Sequence, residues 1–118
     1  MKKLQCDLKT NIQRQLALKD AIELLSGKWK ISILRSLYLS GPLRFKDLTV
    51  VSGGITPKVL SSELQQLEEN MLISRTVNNT KPVTVSYALT NYALETLPVI
   101  EALVKFGLQH RATIKSKI

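Results

Sequence analysis

Lys58, Ser61, Ser62 and Gln65 recur at three- and four-residue spacing, which sets them on one face of a helix. A lysine ammonium can neutralise a phosphate, and short hydroxyl and amide side chains can exchange hydrogen bonds with base edges. The acids Glu68 and Glu69 stand at the far end of the same segment. Having the cation and the small polar groups first suits a helix that enters a major groove by its N-terminus, where the helix dipole also favours phosphate. The same residues would equally make an ordinary solvated face, so the elements around them must decide.

Those elements are well signalled. Gly53-Gly54 supply a tight turn, Thr56 an N-cap, and Pro57 occupies the first helical position, where its missing N–H costs nothing. Leu60, Leu64, Leu67 and Met71 then form an apolar stripe opposite the polar face. Two β-branched-rich runs come next at 73–77 and 83–89, the second alternating Val83, Val85, Tyr87, Leu89 against Thr84, Ser86, Ala88. Asn78-Asn79-Thr80-Lys81-Pro82 is the polar turn between them. A hairpin directly after a capped amphipathic helix is a wing, on which Arg75 and Lys81 become minor-groove or phosphate contacts. The alternative is a surface hairpin with ordinary charges.

Upstream, Leu18, Ala21, Ile22 and Leu25 form a helical stripe that stops at Ser26-Gly27. A second helix over about 29–39 stacks Trp29, Ile33 and Leu37, with Leu34 and Tyr38 beside them, and Ser40-Gly41-Pro42 ends it. Residues 43–45 read as a short strand pairing with the wing, and 46–52 as a short helix with Leu48 and Val51 inward. A last helix over about 91–112 begins after Thr90 as N-cap and runs through Leu94, Leu97, Ile100 and Leu103, with Pro98 inside it and bending it. The expected fold is mostly α with a small β-hairpin wing, a winged helix-turn-helix. Residues 1–15 read as a basic extension and 16–118 as the domain.

Apolar positions Leu97, Ile100, Val104 and Leu108 exceed what one small core can cover, which marks a subunit interface. Two-fold symmetry would then place two recognition helices one turn of DNA apart. A helix folded back on its own domain is the alternative.

The chain has 118 residues, 44% of them hydrophobic, enough for one modest core. Its net charge of +8 and pI near 9.8 suit a partner of polyanions. Most of the excess lies at the ends: Lys2, Lys3, Lys9, Arg14 and Lys19 face only Asp7, and Arg111, Lys115 and Lys117 face no acid. No apolar run approaches the roughly 20 residues of a bilayer span, and no apolar h-region comes after Lys2 and Lys3, so neither membrane nor secretion is expected. Cys6 is the sole cysteine, which excludes an internal disulfide and fits a reducing, cytoplasmic setting.

Catalysis and cofactors are not expected. Gly27-Lys28 lacks the upstream glycine of a phosphate loop, and Trp29 stands where Ser or Thr would hold magnesium. His110 has no second ligand at metal spacing. No nucleophile is paired with a base.

Several spaced motifs together resemble the HxlR-type regulators, small bacterial winged-helix transcription factors related to the MarR group. They are Gly27-Lys28-Trp29-Lys30 before Ile33-Leu34-Arg35-Ser36-Leu37, then Gly41-Pro42-Leu43-Arg44-Phe45, then Ile55-Thr56-Pro57-Lys58-Val59-Leu60 with Leu64 and Leu67-Glu68-Glu69, and Val85-Ser86-Tyr87-Ala88-Leu89-Thr90. The resemblance implies a homodimer joined by its N- and C-terminal helices and bound to a roughly palindromic operator on double-stranded DNA. It aligns Lys58, Ser61, Ser62 and Gln65 with the DNA-facing part of the recognition helix and Arg75 and Lys81 with the wing. It also brings Arg44 toward a phosphate. A small-molecule effector between the dimer helices would fit, without any sign of its identity.

This sequence departs from the family in three places. Members often carry arginine at Gln65, so base preference shifts from guanine toward adenine. Members usually have glycine at Met71, so the left-handed residue ending the helix falls to Asn70 or is built differently. Redox-sensing members often place cysteine where this chain has Leu16. Cys6 lies ten residues earlier, and Lys2, Lys3 and Lys9 would favour its thiolate. An inert thiol and an intermolecular redox contact both remain open. A winged domain that binds protein instead of DNA, with incidental basic ends, is the competing reading of the whole.

Overall fold

A computed structural model describes residues 8–117, and Cys6 lies outside them. Five helices and three strands succeed one another in the winged order: α1 Leu8–Leu25, α2 Lys30–Ser40, β1 Leu43–Arg44, α3 Phe45–Val51, α4 Pro57–Glu69, β2 Ile73–Asn78, β3 Thr84–Leu89, a 3-10 turn Tyr92–Thr96, and α5 Leu97–Ser116. The sheet is antiparallel in the order β1-β3-β2, so the short strand does pair with the wing. Leu43, Tyr87 and Arg75 share one cross-strand row, and Arg44, Ser86 and Thr76 the next.

The core gathers Ile33, Leu34 and Leu37 from α2, Leu48 from α3, Leu60, Leu64 and Leu67 from α4, and Leu72, Ile73, Tyr87, Ala93 and Ile100 from the wing and the C-terminal segment. Each large apolar side chain so buried contributes about 1.5–3 kcal/mol. These contacts are what fix α4 against α3 and the sheet.

Three expectations need correction. Val51 is about half exposed, not inward. Helix α3 begins at Phe45, where the Arg44 backbone N–H donates to Asp47 Oδ2 at 3.2 Å. Phe45 and Leu48 then share the inward face, and Val51 falls at the helix end, where the chain is already turning. The helical stripe of Leu18, Ala21, Ile22 and Leu25 is present on α1, with Leu18 and Ile22 in solvent at 55% and 57% exposure and only Leu25 buried. This helix crosses the 15/16 boundary without a break.

Met71 is not on the apolar stripe either. It sits at φ 63°, while Asn70 stays at φ −89°. The Leu72 N–H reaches Leu67 O at 2.9 Å and the Met71 N–H reaches Glu68 O at 3.0 Å, the paired bonds of a Schellman stop. Met71 itself thus takes the left-handed position, with its side chain in solvent. A Cβ is strained there, so Met71→Gly should raise stability by about 0.5–1 kcal/mol after the extra unfolded-state entropy of glycine is offset. A thermal melt checks this, and an unchanged or lower midpoint would refute the strain.

The final helix differs as well. Pro98 occupies the first turn of α5 instead of its interior, and the expected bend is resolved as a 3-10 turn followed by a fresh helix that runs on to Ser116. Thr90 does cap: its Oγ1 accepts from the Ala93 N–H at 3.1 Å while donating to Met71 O at 2.7 Å. That single hydroxyl ties the end of α4 to the start of the C-terminal segment. Ile100 is spent inside the protomer's own core, so α5 packs on its own domain near its start. Val99, Leu103, Phe106 and Ile114 form an exposed stripe along α5, and Leu108 is exposed on another face of the helix.

The radius of gyration is 18.1 Å, against about 13.5 Å expected for a close-packed chain of this length. Helix α1 and the far half of α5 reach beyond the core and account for the excess.

Candidate nucleic-acid interface

Thr56 Oγ1 accepts from the Val59 N–H at 3.3 Å and Pro57 opens α4. With Leu60, Leu64 and Leu67 turned into the core, Lys58, Ser61, Ser62 and Gln65 are all exposed on the far side. Four-residue pairs link this face. Gln65 Nε2 donates to Glu69 Oε1 at 3.3 Å, and Gln66 Nε2 donates to Ser62 Oγ at 3.4 Å. Because the Ser62 oxygen is already accepting, its own hydrogen is left to donate outward.

Between α4 and the wing lies a groove with a volume of about 340 Å³, lined by Ser61, Leu64, Gln65 and Glu68 from the helix, Arg75 from β2 and Tyr87 from β3. The structure thus brings Ser61, Gln65 and Arg75 together, although they are distant in sequence. Lys58 and Ser62 are exposed on the outer face of α4 and do not line the groove. Lys81 sits at the wing tip.

The wing tip is held by polar side chains. Asn78 Nδ2 donates to Thr84 Oγ1 at 3.1 Å and to Ser86 Oγ at 2.7 Å, and Thr80 Oγ1 donates to Pro82 O at 2.9 Å. Sequence reading treats Asn78 and Thr80 only as turn residues. It misses the pairing of Asn78 with Thr84 on the sheet face away from the core, a consequence of strand register.

The same register separates Arg44 from the rest. Arg44 shares a row with Ser86 and Thr76, whereas Arg75 shares one with Tyr87, so the two arginines project from opposite faces of the sheet. Arg44 is exposed but does not join the groove. Lys46, exposed at the start of α3 and not singled out from sequence, is a further cation on the helix-turn-helix.

Among the described residues the ion pairs are Lys30–Glu63 and Arg35–Glu101. Neither engages Lys58, Arg75 or Lys81, so these three cations have no carboxylate partner among the described residues. Arg35–Glu101 is a partly exposed pair that joins α2 to α5, of the kind that contributes little stability. The Lys28 ammonium lies 4.8 Å from the Trp29 ring centre, and His110 stacks on Phe106 at 6.1 Å. No helix of the described residues is long and apolar enough to cross a membrane.

The chain and its fold have counterparts among known proteins. A transcriptional regulator of the helix-turn-helix type from Halalkalibacterium halodurans is 39% identical over 90 residues, spanning 76% of this chain and 80% of its own length. A solved structure described as a MarR-family transcriptional regulator from Enterococcus faecalis V583 superposes with a TM-score of 0.74 at 29% identity, covering 88% of this chain and 93% of that one. The reduced form of the transcriptional regulator YodB from B. subtilis gives 0.70 at 31% identity over 79% and 90% of the two chains. The family model for HxlR-like helix-turn-helix proteins matches residues 24–115. The chain belongs to the HxlR-like helix-turn-helix family.

Proposed function

We propose that this protein is a transcriptional regulator that binds a roughly palindromic duplex operator as a homodimer. The observation that carries the reading is the groove between α4 and the wing, where Ser61, Gln65 and Arg75 converge, on a protein whose exposed Lys58 and Lys81 have no carboxylate partner among the described residues. In this reading Lys58, Arg75 and Lys81 neutralise phosphates, and Arg44 and Lys46 meet flanking backbone. Ser61, Ser62 and Gln65 read base edges. The outward hydrogen of Ser62 seeks an acceptor such as a purine N7, and the Gln65 amide offers the donor and acceptor that adenine requires.

The two exposed apolar stripes, on α1 and on the far half of α5, are the surfaces assigned to the dimer. An apolar face this extensive on a small protein marks an interface. Two-fold symmetry then sets the two recognition helices one helical turn of DNA apart.

Selection of bound sites from a random duplex library at about 150 mM salt tests the whole reading. A two-fold motif with half-sites about one turn apart is the expected result. Recovery of no motif, with binding that vanishes as salt is added, would leave only basic ends touching phosphate and favour a protein-interaction module. Gln65→Ala should cost about 1–3 kcal/mol on the selected operator and relax preference at one base pair. Equal loss on every sequence would end its assignment to readout.

A further inference from the structure

Lys30 is the one charged residue buried among the described residues, and its Nζ lies 2.6 Å from Glu63 Oε2. Their side chains are 9% and 15% exposed. Withdrawing both charges from water is costly, and apolar residues of similar size commonly serve stability as well or better. Stability is therefore a weak account of this pair, and its position suggests another.

Lys30 opens α2, just past Gly27, where the chain leaves α1 at φ 99°. Glu63 lies midway along α4, on the flank between the buried Leu60, Leu64 and Leu67 and the outward Ser62 and Gln66. The backbone neighbours of α4 are α3 and β2, and α2 is reached mainly by side chains. Packing of the leucine stripe is non-directional and tolerates some rotation of the helix about its axis. A short charge-assisted hydrogen bond does not, since it has both a direction and a length.

Resting on the DNA-binding reading above, we propose that Lys30 and Glu63 are a positioning pair: they set the rotation of the recognition helix and so the register in which the two helices of the dimer meet their half-sites. Because α2 comes directly after α1, the pair refers the orientation of α4 to the helix assigned to the dimer. The two residues are 33 positions apart, and neither lines the groove.

The test compares the wild-type protein, the apolar replacement Lys30→Met with Glu63→Leu, and the charge reversal Lys30→Glu with Glu63→Lys. Each is subjected to selection from a duplex library in which the spacing between half-sites varies, and each is melted by circular dichroism. The apolar protein should keep its melting midpoint within about 5 °C but bind the wild-type operator about tenfold more weakly and accept several spacings. An apolar protein that folds and selects the wild-type motif, spacing and affinity would overturn the proposal, because the pair would then be structural only. Should the apolar protein fail to fold, the charge reversal decides: because the exchanged side chains place the hydrogen bond differently, a folded protein with shifted or broadened spacing supports a positioning role, and one with the wild-type motif, spacing and affinity overturns it. A wild-type protein that selects no motif would instead remove the regulator reading, and this inference with it.

Discussion

Neutralising Lys58, Arg75 and Lys81 together, each by alanine, should flatten the salt dependence of operator binding by about 2.7 units of slope, at about 0.9 for each phosphate left without its cation. At about 150 mM salt the affinity should fall between about thirtyfold and a thousandfold. The expectation rests on the pairing of the three cations: all are exposed, and neither described ion pair involves them. Their charge is therefore available to a polyanion without an internal bond being broken first. Loss of fold is a poor alternative explanation, because exposed substitutions outside caps and cores usually shift stability by no more than about 0.5 kcal/mol. Arg75 needs one control, since its stem lines the groove with Leu64 and Tyr87. Arg75→Met keeps the stem and removes the charge, and should reproduce the loss of slope. Arg111, Lys115 and Lys117 at the end of α5 remain in the variant, so residual non-specific binding is expected. Titration of a labelled operator across a salt series measures both quantities. A triple variant with wild-type slope would mean that the basic ends, not the wing and helix, hold the DNA.

The recognition helix is legible from sequence because its signals are local. Thr56, Pro57 and the leucine stripe fall within a few turns, and each acts on its immediate neighbours. The wing is legible for the same reason. Position within the sheet is not, because it depends on pairing: Arg44 and Arg75 look alike as cations near strands, yet register puts them on opposite faces. Lys30–Glu63 is invisible in the sequence because nothing at either residue points to a partner so distant in the chain. Met71 exposes a further limit. Its apolar character and spacing fit the stripe, but the helix has to end somewhere, and the backbone bonds from Leu72 and Met71 end it before the stripe can continue. Periodicity also shows that a face is apolar without showing what buries it. Leu18 and Ile22 satisfy a helical stripe and remain in solvent within the single chain.

Those exposed stripes lead to the second large effect. Ile12→Glu on α1 and Phe106→Glu on α5, made together, should convert the proposed dimer to a monomer and weaken operator binding by about a hundredfold or more. In the single chain Ile12 is 56% and Phe106 65% exposed. A glutamate at either place therefore keeps its hydration, and the fold should melt within a few degrees of wild type. In the proposed dimer the same positions would lie against a second protomer, where an unpaired carboxylate must be desolvated at a cost of several kcal/mol. Each substitution is thus nearly neutral for the domain and severe for the assembly, which separates the two contributions cleanly. DNA binding tracks the assembly, because a monomer holds a single half-site and loses the added affinity of a tethered second contact. Sedimentation equilibrium gives the mass, and an operator with one half-site scrambled gives the linkage: wild type should prefer the intact operator strongly, and the variant should bind both almost equally. A variant that keeps twice the chain mass and the wild-type preference would show that the stripes on α1 and α5 lie outside the interface, and the two-fold reading would need another surface to carry it.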